Sequence, residues 1–275
     1  MAGSVLADEA VERGDYLFRA AGCANCHTDA DNNGPELAGG RALKTGFGTF
    51  YAPNITPDAE TGIGGWMAED FQRALRHGES PAGDAYYPAF PYPAYTQLTD
   101  TDIAGLWRYL QSVPAIRHLN RPHDLPWYLS FRFTARIWQW LFFDAGEFRP
   151  NETRDQQWNR GAYLAKAVAH CPECHTPRGR LGALDTDRWM AGTKNGPEGE
   201  AVPNITTDRD AGIGEWDEED LTWFLESGEI PGGDYTGGLM TEVVDNGTAK
   251  LTSQDRAALA NYLLSLPPIA TKKSE

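Results

Sequence analysis

The feature that most constrains this chain is a Cys-x-x-Cys-His motif that occurs twice. The copies lie at Cys23–His27 and Cys171–His175, and together they contain all four cysteines of the 275-residue sequence. A structural zinc site needs a second Cys or His pair within about 12–20 residues, whereas 144 positions separate His27 from Cys171. Each copy is therefore expected to serve its own domain, and no cysteine is left over for a structural disulfide.

Other short motifs recur around the two copies in the same order. Pro-Asn-Ile-Thr appears at 53–56 and 203–206, and Gly-Ile-Gly-x-Trp appears at 62–66 and 212–216. The offset between equivalent positions changes only from 147 to 153 residues along the chain. An internal repeat of this kind indicates two homologous domains of about 115 residues each.

We place the two domains at residues 1–116 and 150–275, which carry net charges of −8 and −9. The segment between them, 117–149, differs from both because it carries a charge of +2 and is rich in aromatic residues. Its helical part, about residues 130–143, is interpreted as packing between the two domains. A membrane surface or a partner protein is the alternative contact for this helix.

Apolar spacing predicts helices in both domains. Residues 106–113 carry apolar side chains at the i, i+3, i+4, i+7 spacing of a buried helical face, and residues 259–266 repeat that pattern. Thr99 and Thr252 precede these helices, at the positions where N-caps are expected. We therefore predict an all-α fold in which long Gly- and Pro-rich loops join the helices.

Composition argues against two classes of function. With 24 Lys and Arg against 39 Asp and Glu, the net charge of −15 disfavours nucleic-acid binding, which needs a basic surface. No apolar run reaches the roughly 18–20 residues that a membrane-spanning helix requires, so membrane association is expected to be peripheral or through a partner. Residues 1–8 lack the basic and apolar regions of a secretion signal, and we interpret them as the start of a processed chain.

Cys-x-x-Cys-His is the attachment signature of c-type haem. Two thiols one helical turn apart reach the two vinyl groups of haem, and the adjacent histidine places an imidazole on the iron. A thioredoxin-like redox pair shares the cysteine spacing but not the histidine that follows it. We therefore predict two covalently bound haem c groups. The residues that hold them are Cys23, Cys26 and His27 for haem 1, and Cys171, Cys174 and His175 for haem 2.

With these motifs, each domain resembles a class I cytochrome c, so the expected architecture is two tandem cytochrome c domains with an aromatic-rich helical connector. The sixth iron ligand of that family is typically a methionine well downstream of the proximal histidine. The resemblance implies Met240, which follows His175 by 65 residues, as the distal ligand of haem 2. Met190 and His170 are the rivals: Met190 is expected to pack near the haem edge, and His170 lies on the proximal side.

The first domain departs from the family pattern at the distal ligand. Met240 follows Trp216 by 24 residues, and the same distance from Trp66 leads to Phe90. A phenylalanine cannot ligate iron. The repeat therefore predicts no methionine ligand for haem 1.

Three alternatives remain for the sixth position of haem 1. His77 lies at the end of a predicted helix and is one candidate ligand. The connector histidines His118 and His123 form the second alternative, and an open or water-filled site is the third. Met67 directly follows Trp66 and is expected at a helix start, on the surface or in the core.

The resemblance also implies roles for residues around each haem. The carbonyl of Pro35 is expected to accept the N–H of the proximal histidine and to fix its orientation; the corresponding loop of the second domain leaves its acceptor open. Asn54, Asn204, Trp66 and Trp216 are expected either to donate hydrogen bonds to haem propionates or to serve as turn and core residues.

Nearly the whole chain is similar to the multihaem cytochrome c subunits of membrane-associated bacterial dehydrogenases, which use a quinone or flavin cofactor to oxidise alcohols, sugars or polyols. Besides the repeated motifs, residues 87–93, 121–126 and 158–163 carry this resemblance. Subunits of the alcohol dehydrogenase type usually carry three haems, and this sequence contains two attachment motifs.

The resemblance implies a periplasmic cytochrome that is not itself an enzyme. It would relay single electrons from a dehydrogenase partner to a downstream cytochrome or oxidase. The alternative is a haem enzyme, peroxidase-like or another small-molecule oxidoreductase, that works at an open or exchangeable sixth site of haem 1. A purely structural or haem-storage role is the third hypothesis.

Overall fold

Helices account for most of the regular structure, so the predicted all-α class is confirmed. The structure is a computed structural model that describes residues 2–270, with side chains from residue 8 onward. The chain divides into two units, residues 1–148 and 149–275. The elements of the first unit are α1 (Ala2–Ala20), α2 (Cys23–His27), β1 (Ala42–Thr45), β2 (Gly48–Tyr51), α3 (Ala68–His77), α4 (Tyr92–Tyr95), α5 (Asp100–Ser112) and α6 (Arg132–Phe142). Those of the second unit are α7 (Gln156–Tyr163), α8 (Cys171–His175), α9 (Glu218–Ser227), β3 (Glu229–Ile230), β4 (Asp234–Tyr235), α10 (Leu239–Asn246) and α11 (Ser253–Leu264).

In each unit, two helices that are far apart in sequence cross at a glycine. A Cβ atom on Gly14 of α1 would lie 2.1 Å from the carbonyl oxygen of Gly105 in α5. A Cβ atom on Gly161 of α7 would lie 1.9 Å from the carbonyl oxygen of Ala258 in α11. Because no side chain fits between these backbones, the glycines set how closely the helices approach.

The same helices are fixed by an N-cap and an ion pair. The hydroxyl oxygens of Thr99 and Thr252 accept the backbone N–H groups of Asp102 and Asp255, each at 3.1 Å, which confirms both predicted caps. The two aspartate side chains in turn bind an arginine of the helix that crosses theirs. These arginines are Arg13 in the first unit and Arg160 in the second.

The Gly- and Pro-rich stretches predicted as loops contain little regular structure apart from one hairpin. In it, β1 and β2 pair antiparallel with Ala42 opposite Tyr51 and Thr45 opposite Gly48. Elsewhere these stretches are held by hydrogen bonds that side chains and isolated bridges provide. Their course therefore depends on particular side chains, which the next subsection describes.

The aromatic-rich segment packs with the first unit, which extends to residue 148. Asp124 exchanges two backbone hydrogen bonds of 2.8 and 2.9 Å with Thr49 of β2. Ala135 of α6 is buried in a core cluster of the same unit. The segment therefore extends the hairpin and contributes to a core cluster of the first unit.

The outer face of α6 is apolar. Phe133, Ile137, Trp140 and Leu141 lie at i, i+4, i+7 and i+8 and are 49–83% exposed. Within residues 2–270, no helix has the length and apolar character needed to cross a membrane.

Candidate haem sites

Each Cys-x-x-Cys-His motif forms one short helix that follows a residue in the left-handed conformation. Gly22 precedes α2 with φ of 62°, and His170 precedes α8 with φ of 41°. The two cysteines of a motif are three positions apart and therefore lie on the same side of the helix. None of the four cysteines forms a disulfide. This arrangement fits a planar group that is bound through two neighbouring sulfur atoms.

The histidine of each motif is held in the tautomer that a metal ligand needs. Nδ1 of His27 lies 2.7 Å from the carbonyl oxygen of Pro53, and Nδ1 of His175 lies 2.8 Å from that of Pro203. A carbonyl oxygen only accepts, so Nδ1 carries the proton and Nε2 keeps its lone pair. Burial lowers the pKa of both histidines, which favours the neutral imidazole. Both donor sets therefore fit a haem iron.

The protonation of the cysteines disfavours the alternative of a dithiol redox pair. Burial raises the pKa of Cys23 and of Cys171 to about 12. Disulfide exchange uses the thiolate, and its Cys-x-x-Cys motifs lower the pKa of the attacking thiol. The first cysteine of each motif in this chain has the opposite property, so attachment of a cofactor explains the motifs better.

The carbonyl that orients the proximal histidine belongs to Pro53, and the prediction of Pro35 is wrong. Pro35 is exposed, and its carbonyl accepts the N–H of Ala38 at 3.2 Å within a tight turn. The internal repeat favoured Pro53 as the acceptor. Pro53 and Pro203 occupy the same position of Pro-Asn-Ile-Thr, whereas Pro35 has no counterpart in the second domain.

The asparagine after this proline acts as a turn residue, the second of its two predicted roles. Asn54 is buried, and its amide donates to the Thr61 hydroxyl at 3.0 Å and to the Ile116 carbonyl at 2.7 Å. Its oxygen accepts the N–H of Thr56 at 2.9 Å. The amide of Asn204 likewise donates to a backbone carbonyl at 2.7 Å. These contacts fix the chain directly behind the proline carbonyl, and both amide hydrogens of Asn54 are used within the protein.

A glycine that sequence reasoning missed closes the same loop. The N–H of Gly39 donates to the carbonyl of His27, and that of Gly192 to the carbonyl of His175, each at 2.8 Å. Gly39 has φ of 77°, and a Cβ atom on it would lie 2.5 Å from the backbone of Pro53. Only a glycine allows the two loops to approach so closely. The backbone and the imidazole of the histidine are therefore held from neighbouring loops.

The two repeated tryptophans remain candidates for contacts with a cofactor. Trp66 and Trp216 are half-buried, and their backbone N–H groups donate to Ile63 and Ile213 in equivalent turns. Within the described part of the chain, neither indole N–H has a hydrogen-bond partner. A polar group from outside the protein, such as a carboxylate, could satisfy them.

Two methionines of the second unit have different environments. Met190 is completely buried, and its N–H donates to the Thr176 hydroxyl at 3.0 Å. In the first unit, Leu37 donates in the same way to Thr28 at 3.1 Å. Met190 therefore holds a core position that needs no sulfur. Met240 is half-buried near the start of α10.

The three candidate histidine ligands for haem 1 are distributed between α3 and the segment after α5. His77 is exposed at the end of α3, and Met67, which precedes that helix, is 64% exposed. His118 is exposed and its Nδ1 donates to a backbone carbonyl at 2.9 Å. Nδ1 of His123 instead accepts a backbone N–H at 3.1 Å. The structure does not bring these side chains together.

Comparison with known proteins gives one family and several relatives. The family model described as Cytochrome c matches residues 11–114 and 159–267. The chain is 41% identical over 266 residues to a protein named diheme cytochrome c-type from Cereibacter sphaeroides, covering 94% of this chain and 86% of that protein. It is 39% identical over 269 residues to the gluconate 2-dehydrogenase cytochrome c subunit of Pantoea cypripedii, covering 94% and 60%. It is 38% identical over 261 residues to the fructose dehydrogenase cytochrome subunit of Gluconobacter japonicus, covering 94% and 52%. The chain therefore spans little more than half the length of these two dehydrogenase subunits.

Proposed function

Because the chain belongs to the cytochrome c family, we propose that it is a dihaem cytochrome that relays single electrons from a dehydrogenase to a downstream cytochrome or oxidase. The observation that carries this proposal is the pair of equivalent histidine–proline contacts behind the two attachment motifs. Relatives named as cytochrome subunits of dehydrogenases support it, because such subunits transfer electrons and do not oxidise the substrate themselves.

In this proposal each unit binds one haem c covalently. When bound, the haem takes up and releases one electron at a time. His27 and His175 are the proximal ligands, Met240 is the distal ligand of haem 2, and the indoles of Trp66 and Trp216 donate to propionates. The attachment residues are Cys23, Cys26, Cys171 and Cys174.

The protein orients the imidazole ligand of each haem and makes the reduction potentials of the two haems different. The hydrogen bonds to Pro53 and Pro203 fix each imidazole and increase its electron donation to a metal. A methionine thioether opposite histidine raises the reduction potential. Met240 offers this sulfur in the second unit, whereas the first unit has Phe90 at the position predicted from the repeat. Electrons are therefore expected to pass from the first site to the second.

The surface charges and the exposed helix face suggest how partners are bound. Both haem domains are acidic, which suits a partner with a basic docking patch. The exposed apolar face of α6 offers a further contact for a partner protein or a membrane surface. We therefore expect membrane association to be peripheral or through a partner. We place the protein in the periplasm, because haem is attached covalently outside the bacterial cytoplasmic membrane.

Replacing Met240 by Leu is expected to lower the reduction potential of one haem and leave the other unchanged. The substitution removes the thioether sulfur but keeps an apolar side chain of similar volume. A spectroscopic redox titration of the haem-loaded protein measures both potentials. Met190→Leu is the matched control, since Leu37 occupies the equivalent core position in the first unit. Equal potentials in wild type and Met240→Leu would contradict the ligand assignment.

The relay itself can be tested with membranes that contain alcohol, gluconate or fructose dehydrogenase. Oxidised haem-loaded protein is added, and its absorbance is followed after addition of each substrate. At least one substrate is expected to reduce both haems, and subsequent addition of an oxidised monohaem cytochrome is expected to reoxidise them. If dithionite reduces both haems but no substrate does, these dehydrogenases are not the electron donors.

A further inference from the structure

Backbone hydrogen bonds identify the residue of the second unit that corresponds to Phe90. The glycines that end α3 and α9 each accept the N–H of the residue eight positions later. In the first unit this donor is Tyr86, and in the second it is Thr236, both at 2.8 Å. The intervening loops thus have the same length. Four residues beyond each donor stand Phe90 and Met240, so the structure gives the same equivalence as the count from the tryptophans.

The ring of Phe90 is surrounded by three tyrosine rings. Its ring centroid lies 5.6 Å from that of Tyr86, 5.8 Å from that of Tyr95 and 6.2 Å from that of Tyr92. Burial raises the pKa of Tyr86 to about 12, so its phenol is neutral at physiological pH. The aromatic wall formed by Phe90 and these three tyrosines contains no thioether and no imidazole. It offers the iron of haem 1 no strong ligand where the second unit presents Met240.

His118 is held against the loop that supports the proximal histidine. Its Nδ1 donates to the carbonyl of Ala38. The next residue, Gly39, holds the carbonyl of His27. His118 is therefore used in the hydrogen bonding that would support the His27 side of a bound haem.

His123 has the wrong tautomer for a ligand. Its Nδ1 accepts the N–H of Tyr51, so the ring proton of the neutral imidazole lies on Nε2. Its ring also packs edge-on against Phe50 and Tyr87. Since His77 and Met67 are exposed, the described side chains of the first unit supply no methionine or histidine suited to the sixth position.

We propose that haem 1 has an exchangeable sixth position beside Phe90 and that it binds small neutral diatomic molecules, such as carbon monoxide and nitric oxide. The inference rests on the proposed function, because it needs a haem at each attachment motif. One phenylalanine and three tyrosine rings supply no positive charge to an anion, and burying an uncompensated charge beside them is costly, so neutral ligands are favoured. Haem 2, with Met240 as its ligand, remains closed to such molecules.

The experiment is a carbon monoxide titration of the reduced, haem-loaded protein, followed by absorbance. Haem content and reducibility are measured first, so that two reducible haems are established independently. One haem of two is expected to form a carbon monoxide adduct in the wild type. Phe90→Met should abolish that adduct, because the thioether then competes for the iron. Phe90→Leu, which adds no ligand, should keep it, and Met240→Phe should raise the count from one haem to two.

The outcomes separate this inference from the proposed function. Two reducible haems without any adduct would overturn the open sixth position and leave electron transfer intact. An adduct that Phe90→Met does not weaken would show that Phe90 is not beside the sixth position. A protein that takes up no haem at either motif would overturn both proposals.

Discussion

Replacing Cys171 and Cys174 by Ser is expected to leave the chain with one haem in place of two and to prevent the second unit from folding. The serine hydroxyls cannot form thioethers, so haem 2 is not retained. A long stretch with little regular structure, residues 176–216, follows α8, and we propose that the haem supplies apolar mass that this stretch would otherwise lack. As with metal-dependent folds, binding energy is then folding energy. The haem-to-protein ratio and the helical circular dichroism signal measure the two effects.

The matched variant is Cys23→Ser with Cys26→Ser, which removes the other attachment site. It is expected to lose haem 1 and to keep the Met240-ligated spectrum of haem 2. A double variant of either motif that still carries two haems would refute the assignment of that motif. Retention of the full helical signal after loss of one haem would show that the unit folds without its cofactor.

Replacing Gly14 by Ala is expected to destabilise the first unit by about 1–3 kcal/mol, the usual cost of overpacking. The new methyl carbon would lie 2.1 Å from the Gly105 carbonyl oxygen and 2.7 Å from Cβ of Tyr109, so α1 and α5 must move apart. Alanine alone favours a helix over glycine by about 1 kcal/mol, and the clash outweighs this gain. Denaturant unfolding of the haem-loaded protein measures the change.

Gly105→Ala on the facing helix is the control for this crossing. Its methyl carbon would lie 3.3 Å from the nearest oxygen, that of Ala10, and the second unit already has Ala258 at the equivalent position. The control should therefore change the free energy of unfolding much less than Gly14→Ala. Equal effects of the two substitutions would show that the crossing distance is not set by Gly14.

The helices and their caps could be predicted because their causes are local. The apolar spacing of residues 106–113 and the threonine before that helix lie within a few turns of each other, and the structure places Thr99 as the cap. The packing of residues 117–148 with the first unit was not predicted, because a shift in composition does not say where a segment packs. Asp124 bonds to Thr49, 75 positions earlier, and nothing in the local sequence reveals that pairing.

In the candidate haem sites, too, the local sequence predicted some features and only the fold decided others. The repeated motifs already named the two attachment helices and the absence of a methionine at Phe90. The carbonyl that orients His27 was missed because every residue has a carbonyl, and only the fold decides which one lies within 2.7 Å of Nδ1. The tautomer of His123 likewise depends on a backbone N–H from another loop.

By itself, the sequence determined which chemistry this protein can hold: thiols and imidazoles at the spacing of c-type haem, twice, with one methionine proposed as a ligand in the second copy. The tertiary structure decided which backbone groups support that chemistry and which histidines of the first unit are kept away from it. The physical reason is that covalent attachment depends on neighbours along the chain. Hydrogen bonding and burial depend on neighbours in space.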